Sequence, residues 1–267
     1  MVRRSGSFVK TLWRLVVPYP LRVRLSAWRR SLGATRGPKR VSLGDLRRTT
    51  PIDENWGFER GGPIDRTYID WFLGRHRSDV RGRVLEVGGD EYARRFGTGV
   101  ERIDVLDVVR TNPRATLVGD LANAPHIPDG TFDCVILTQV LPAIWDVSAA
   151  LRTVHRILAP GGVLLATVPG ISKISAFEAE RFGWWWHFTS MSARRLAEEA
   201  FGSGNVEVET YGNVLAAAAF LYGLGARDLR KEELAAHDPA YQVTISIRAV
   251  KRRPDSSPCR AGPCLGG

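Results

Sequence analysis

Glu86, Asp107, Asp120 and Gln139 each stand at or just past the end of a short apolar run. Side chains of these types can hold a nucleoside. Gly88 and Gly89 follow Glu86 at once, so the backbone there can approach a ligand closely. Asp107 lies 21 residues beyond Glu86, the spacing of an acid that accepts hydrogen bonds from ribose hydroxyls. A dinucleotide fingerprint needs G-x-G-x-x-G/A, and from Gly88 this chain reads G-G-D-E-Y-A. Asp90 would face a pyrophosphate unfavourably. No G-K-[ST] exists for a P-loop. A positively charged nucleoside without phosphates suits the acids Glu86, Asp90, Asp107 and Asp120 better.

Five histidines are available for proton transfer. His76 and His155 read as surface residues, and His126 sits in the loop after the third apolar run. His187, in WWWHFT, and His237, in HDP, are placed to reach the ligand side of a sheet, so they are the candidate bases; loop packing is the alternative for both. Trp185 and Trp186 could form a stacking wall for a sugar or aryl acceptor, or a lid packed on the core. Arg66 could meet a carboxylate or close a salt bridge at a helix start. Cys134 reads as core, while Cys259 and Cys264 lie in a Pro/Gly/Ser-rich tail with nothing to activate them. No His/Asp cluster at ligand spacing suggests a metal.

These residues need a scaffold that brings strand ends together. Runs at 83–88, 102–107, 115–120, 133–138 and 163–168 read as buried parallel strands. Helical patterns lie between them. Ile64, Tyr68, Ile69 and Phe72 share the face of a helix that opens at Pro63 and ends at Gly74. Val147, Leu151, Val154 and Leu158 mark another, stopped by Pro160-Gly161-Gly162. Residues 205–211 read as a strand, and 241–250 alternate as a late antiparallel one. The fold class is doubly wound, Rossmann-like α/β with a mostly parallel seven-stranded sheet and a terminal antiparallel strand. Ligands of such sheets sit beyond the carboxyl ends of the strands.

The formal charge of +10 is concentrated at one end. Residues 1–40 carry eleven Lys and Arg and no acid, interleaved with bulky apolar residues, whereas 41–250 are slightly acidic. The chain divides into a basic arm (1–50), a catalytic domain (51–251) and a tail (252–267). An arm of this kind can attach to anionic lipid, or be a plain extension. It also leaves open a weaker RNA-binding reading. No apolar run approaches the ~20 residues of a membrane span. The expected location is cytoplasmic, with the arm able to reach the inner face of a membrane.

VLEVGG (84–89), VLDV (105–108), GDLANAPHIPDGTFDCVILTQVL (119–141) and LRTVHRILAPGGVLLATVPG (151–170) together resemble class I S-adenosylmethionine (SAM)-dependent methyltransferases. The resemblance covers roughly residues 60–250. It implies that Glu86 and Gly88 hold the methionine moiety of SAM. It further implies that Asp107 binds the ribose, that Asp120 and Leu121 meet the adenine, and that Gln139 flanks the sulfonium. Asp90 departs from the second glycine of the usual E-x-G-x-G, which motivates an alternative as a non-catalytic scaffold. No [DNS]-P-P-[FYW] follows the fourth strand, and no Pro-Cys stands there, which disfavours adenine amino and cytosine C5 acceptors. WWWHFT, YGNVLAAAAFLYGL and HDPAYQVTI are similar to methyltransferases found beside glycosyltransferases in polysaccharide assembly. A sugar hydroxyl on a glycan or glycolipid is the acceptor this implies.

Overall fold

The computed structural model describes residues 42–253. The chain divides after Arg48 into two units, and of the first only residues 42–48 are described. The readings made for residues 1–40 and for the tail cysteines lie outside the described residues.

Seven strands form one sheet: β1 (Gly82–Val87), β2 (Val100–Asp107), β3 (Leu117–Val118), β4 (Phe132–Thr138), β5 (Leu158–Pro169), β6 (Val206–Tyr211) and β7 (Thr244–Val250). Their order is β3-β2-β1-β4-β5-β7-β6. All neighbours from β3 to β5 run parallel, and β7 is antiparallel to both β5 and β6. Strand order reverses between β1 and β4, and the carboxyl ends of the parallel strands share one edge with that of β6. This is the expected doubly wound sheet, with its ligand edge where the sequence put it.

Among the described residues seven α-helices accompany it: α1 (Ile64–Arg75), α2 (Glu91–Phe96), α3 (Val147–Ile157), α4 (Ala176–Phe182), α5 (Ser190–Phe201), α6 (Val214–Leu221) and α7 (Lys231–Ala235). α3 and α5 cover one face of the sheet; Leu151, Val154, Ala193 and Ala197 pack there on Leu85, Leu137 and Leu164. α1 covers the other, with Ile69, Phe72 and Leu73 on Val84, Ile136 and Leu165. The β6–β7 connection, which contains α6 and α7, folds over the start of α1 and buries Ile64 and Tyr68.

Several boundaries differ from the sequence reading. The third strand keeps only Leu117 and Val118 in the ladder, because Thr116 and Gly119 turn their amides to Val105 and Asp107 carbonyls as the chain bends away. α1 continues one residue past Gly74. Leu158 is not helical: it pairs with Phe132, and Pro160-Gly161-Gly162 lie near the start of β5, where the Gly161 amide donates to the Lys251 carbonyl and the Lys251 amide to the Gly162 carbonyl. Tyr241 precedes β7 and is 37% exposed.

α3 begins at Asp146, whose carboxylate accepts from the Ala149 amide at 2.8 Å. Asp146→Ala is expected to cost about 1 kcal/mol, the usual value of an N-cap. A urea midpoint unchanged from wild type would show that packing of the apolar face alone fixes this helix start.

Candidate active site

β1 delivers its last residues into a turn that helix α2 closes. Gly88 takes φ +84°, a conformation that side chains resist, and a Cβ there would project into open space. Glu86 is 3% exposed, and its two oxygens accept from the Tyr92 and Ala93 amides at 3.2 and 2.7 Å. It therefore braces the turn that follows β1. Burial pushes its pKa up to about 7, against the opposing pull of those two amides. The folded protein thus keeps a proton that the unfolded chain has released. Stability from this group is full below about pH 4.5 and is lost as pH rises towards about 7. Glu86→Gln should bring the urea midpoints at pH 5 and pH 7.5 closer together than in wild type. An unchanged gap would show that Glu86 is already ionised at the lower pH.

Asp90 does not line the cleft as an acid. Its carboxylate turns onto Arg94 at 2.5 Å and Arg114 at 3.6 Å, and Arg114 also pairs with Glu91. The negative lining expected from four acids is thereby reduced: Asp90 is neutralised by arginines and Glu86 by burial. Asp107 and Asp120 remain.

Asp107, at the end of β2, is half-buried. Its Oδ1 accepts from the Val109 amide at 2.8 Å and its Oδ2 from Asn112 Nδ2 at 2.7 Å. The same Asn112 nitrogen donates to the Gly88 carbonyl at 3.1 Å, so one side chain joins the β1 turn to the β2 end. Each Asp107 oxygen keeps a lone pair for a diol. Asp120 is exposed and accepts from the Ala122 amide at 2.8 Å. Leu121 is 3% exposed and packs in the core with Leu106. His126 is exposed and lies over Gly119, where a Cβ would come within 2.6 Å of its ring.

Gln139, one residue past β4, adopts φ +59° although it is not glycine. Its amide nitrogen on the main chain donates to the Thr167 carbonyl at 2.9 Å. Its side-chain Nε2 is buried with no partner. Five further buried polar atoms lack partners among the described residues: Asp65 Oδ1, Thr167 Oγ1, Trp184 Nε1, Thr244 Oγ1 and Ser246 Oγ. Each belongs to the start of α1, to the ligand-edge half of a strand, or to a segment beyond one. Buried polar groups are nearly always paired, so each of these atoms calls for a partner such as ordered water or a ligand. Burial raises the Asp65 carboxyl despite neighbouring Arg66. Arg66 is held charged by Asp65, Tyr92 and Glu178, which outweigh the cost of its burial.

On the acceptor side, Trp185 and Trp186 meet Trp145 with centroids at 5.3 and 5.5 Å. The Trp186 indole donates to the Ile144 carbonyl at 3.1 Å, and Trp145 and Trp185 are 66% and 53% exposed. Trp184, not singled out by sequence, is the one turned inward. His187 lies edge-on to it at 6.1 Å, and Phe188 bonds back to Pro169 at the end of β5. Partial burial lowers the His187 pKa, so its imidazole is neutral at pH 7. His237 belongs to the β6–β7 connection. Its Nε2 lies 2.8 Å from Thr210 Oγ1 on β6, because the β6–β7 connection emerges at the outer edge of the sheet. His76 and His155 are half-buried, packed edge-on to Phe72 and Phe201, which corrects their reading as surface residues. Cys134 is buried, and burial raises its thiol pKa strongly. Among the described residues no group of three His, Cys, Asp or Glu could hold a metal.

The cleft suits the cofactor that the motifs imply. Gly88 leaves room for a ligand, Asp107 is oriented for a diol, Gln139 offers an unused donor, and no unpaired acid opposes a carboxylate at the turn. A family model described as a methyltransferase domain matches residues 66–200. The ubiquinone/menaquinone biosynthesis C-methyltransferase UbiE of Haemophilus ducreyi is 36% identical over 90 residues, covering 33% of this chain and 29% of the relative. A Mycolicibacterium smegmatis protein named a probable S-adenosylmethionine-dependent methyltransferase is 32% identical over 135 residues, covering 46% and 49%. These matches span less than half the length of either relative. A solved S-adenosylmethionine-dependent methyltransferase from Mesorhizobium loti has 19% identity and a TM-score of 0.46 over 68% of this chain and 97% of its own. With more than half of its length matched by the family model, the chain belongs to the methyltransferase-domain family of class I, SAM-dependent enzymes.

Proposed function

We propose that this chain transfers a methyl group from SAM to a hydroxyl of a saccharide, carried on a glycan or glycolipid. When bound, SAM supplies a methyl group made electrophilic by its sulfonium. Asp107 takes the ribose diol, with Asn112 fixing its orientation, and Gly88 admits the close approach of the methionine portion. Gln139 would offer its unused amide to an acceptor atom of the bound ligand. Displacement at a sulfonium needs nucleophile, carbon and sulfur in line, so positioning carries much of the rate. His187 accepts the proton that the acceptor hydroxyl gives up.

The observation that carries the acceptor class is the exposed shelf of Trp145, Trp185 and Trp186 next to a neutral imidazole. Aromatic faces suit the apolar face of a sugar ring, and a hydroxyl nucleophile needs a base. Incubation with methyl-labelled SAM and bacterial glycan and glycolipid fractions tests this reading. A methyl ether released on hydrolysis is the expected product. Label on carbon, as the name of the Haemophilus relative states for that protein, would overturn the hydroxyl acceptor.

The scaffold alternative loses its motive, since Asp90 is withdrawn onto Arg94 and Arg114. The RNA alternative rests on residues 1–40 alone. We assign that segment to attachment at an anionic membrane face. Among the described residues no helix is long and apolar enough to cross a membrane.

A further inference from the structure

A groove of about 730 Å³ runs along the outer edge of β6, away from the cofactor cleft. Trp71 and Arg75 of α1 form one bank, and Met191 and Arg194 of α5 the other. His237 and Gln242 close its upper end.

Its surfaces combine aromatic faces with braced polar groups. Trp71 is 38% exposed and meets Tyr68 edge-on at 5.5 Å, while Tyr68 stacks on Tyr211 at 5.5 Å. Glu209 accepts from Arg75 at 2.5 Å and from the Tyr211 hydroxyl at 3.0 Å. Gln242 accepts from the Ser190 amide and donates to Ser190 Oγ and the Pro239 carbonyl. Thr210 and His237 are paired at 2.8 Å. Arg75 is offset by Glu209, and Arg194 by Glu198 at 3.8 Å, so the groove has no net field to attract a phosphate or a cation. A peptide strand is also ill served. Arg194 already donates to the Val206 and Val208 carbonyls at 3.3 and 3.5 Å, the edge groups an added strand would need.

An uncharged ring bearing many hydroxyls matches this surface: its CH face lies on an indole, and its hydroxyls meet carboxylate, amide, guanidinium and imidazole groups held in fixed orientations. The groove is three strand intervals from β4, about 14 Å at ~4.8 Å per strand. It lies on the ligand-edge side. One register line joins the two places, running through Thr138, Thr167, Ser246 and Glu209 on the α1 face.

We infer that this groove binds a neutral oligosaccharide segment of the acceptor, several rings from the one that is methylated. The inference rests on the saccharide reading of the acceptor and adds a second contact to it. The full chain is tested on an array of oligosaccharide fragments from bacterial polysaccharides, and the tightest fragment is then titrated by calorimetry without SAM. Trp71→Ala should weaken that fragment by about tenfold, the loss expected for one aromatic face, with SAM affinity unchanged. Because Trp71 packs on Tyr68, Met191→Glu is the second variant; its side chain is 81% exposed and bears no core packing. It should weaken the fragment likewise. Absence of any bound fragment, binding by both variants as tight as wild type, or capture of extended peptides instead would overturn the groove. A sugar product with both variants unaffected removes the groove alone. Fragment binding with a non-sugar methyl acceptor removes the acceptor reading and keeps the groove.

Discussion

Replacing Asp107 by alanine should weaken SAM binding by about 10²–10⁴-fold. On the proposed reading the carboxylate accepts from the ribose diol, and each charge-assisted hydrogen bond contributes about 1.5–3 kcal/mol. Two such bonds account for the expected loss. The substitution also releases Asn112 and the Val109 amide, so the β1 turn loses its tie to β2. Asn112→Ala keeps the acceptor and removes only the tie, and its effect on the same titration should be smaller. Calorimetry with SAM and with its demethylated product measures both, and a urea midpoint close to wild type excludes unfolding as the cause. A loss below about threefold for Asp107→Ala would mean that the ribose lies elsewhere.

Replacing His187 by alanine should lower kcat by about 10²–10⁴-fold, the range of a positioned general base. Partial desolvation lowers its pKa from the ordinary 6.5, so the wild-type rate should climb with pH along a limb whose midpoint lies below 6.5. The variant should lose that limb, with SAM affinity preserved. Single-turnover rates between pH 5 and 8 separate this from a packing defect, which would lower the rate without altering the shape of the profile. A full limb in the variant would assign the proton to another group and leave alignment as the main source of rate.

Much of the sheet could be read from local runs. LEV, VLDV and CVIL lie in runs of the length a doubly covered parallel strand requires, and Asp107 stands at the spacing that follows from one strand–helix–strand crossover. β3 was harder: with two ladder residues it barely differs from a loop. Histidines near chain turns were harder still. His237 lies only seven residues before β7, and that correctly puts it near the ligand edge. Its lateral position depends on β7 sitting between β5 and β6, which no local pattern encodes. Asn112 gave no periodic signal, since a loop asparagine five residues beyond a strand-end acid has many possible uses. The mismatch at Asp90 was visible, but its resolution by Arg94 and Arg114 was not. Arg94 is four residues on, on the same helix face, and could have been found. Arg114 comes from another loop.

Gln139 combines a left-handed backbone with a buried, unanswered amide. A non-glycine residue in that region costs about 1–2 kcal/mol, and an unmet buried donor about 1–3 kcal/mol more. A ligand that accepts from the amide returns part of this loss and, by mass action, shifts the population away from opened forms. The empty and filled proteins would then differ in lifetime as well as in activity. Proteases act on the opened chain, so a scarcity of methyl donor would thin the pool of this protein before any signal instructed it.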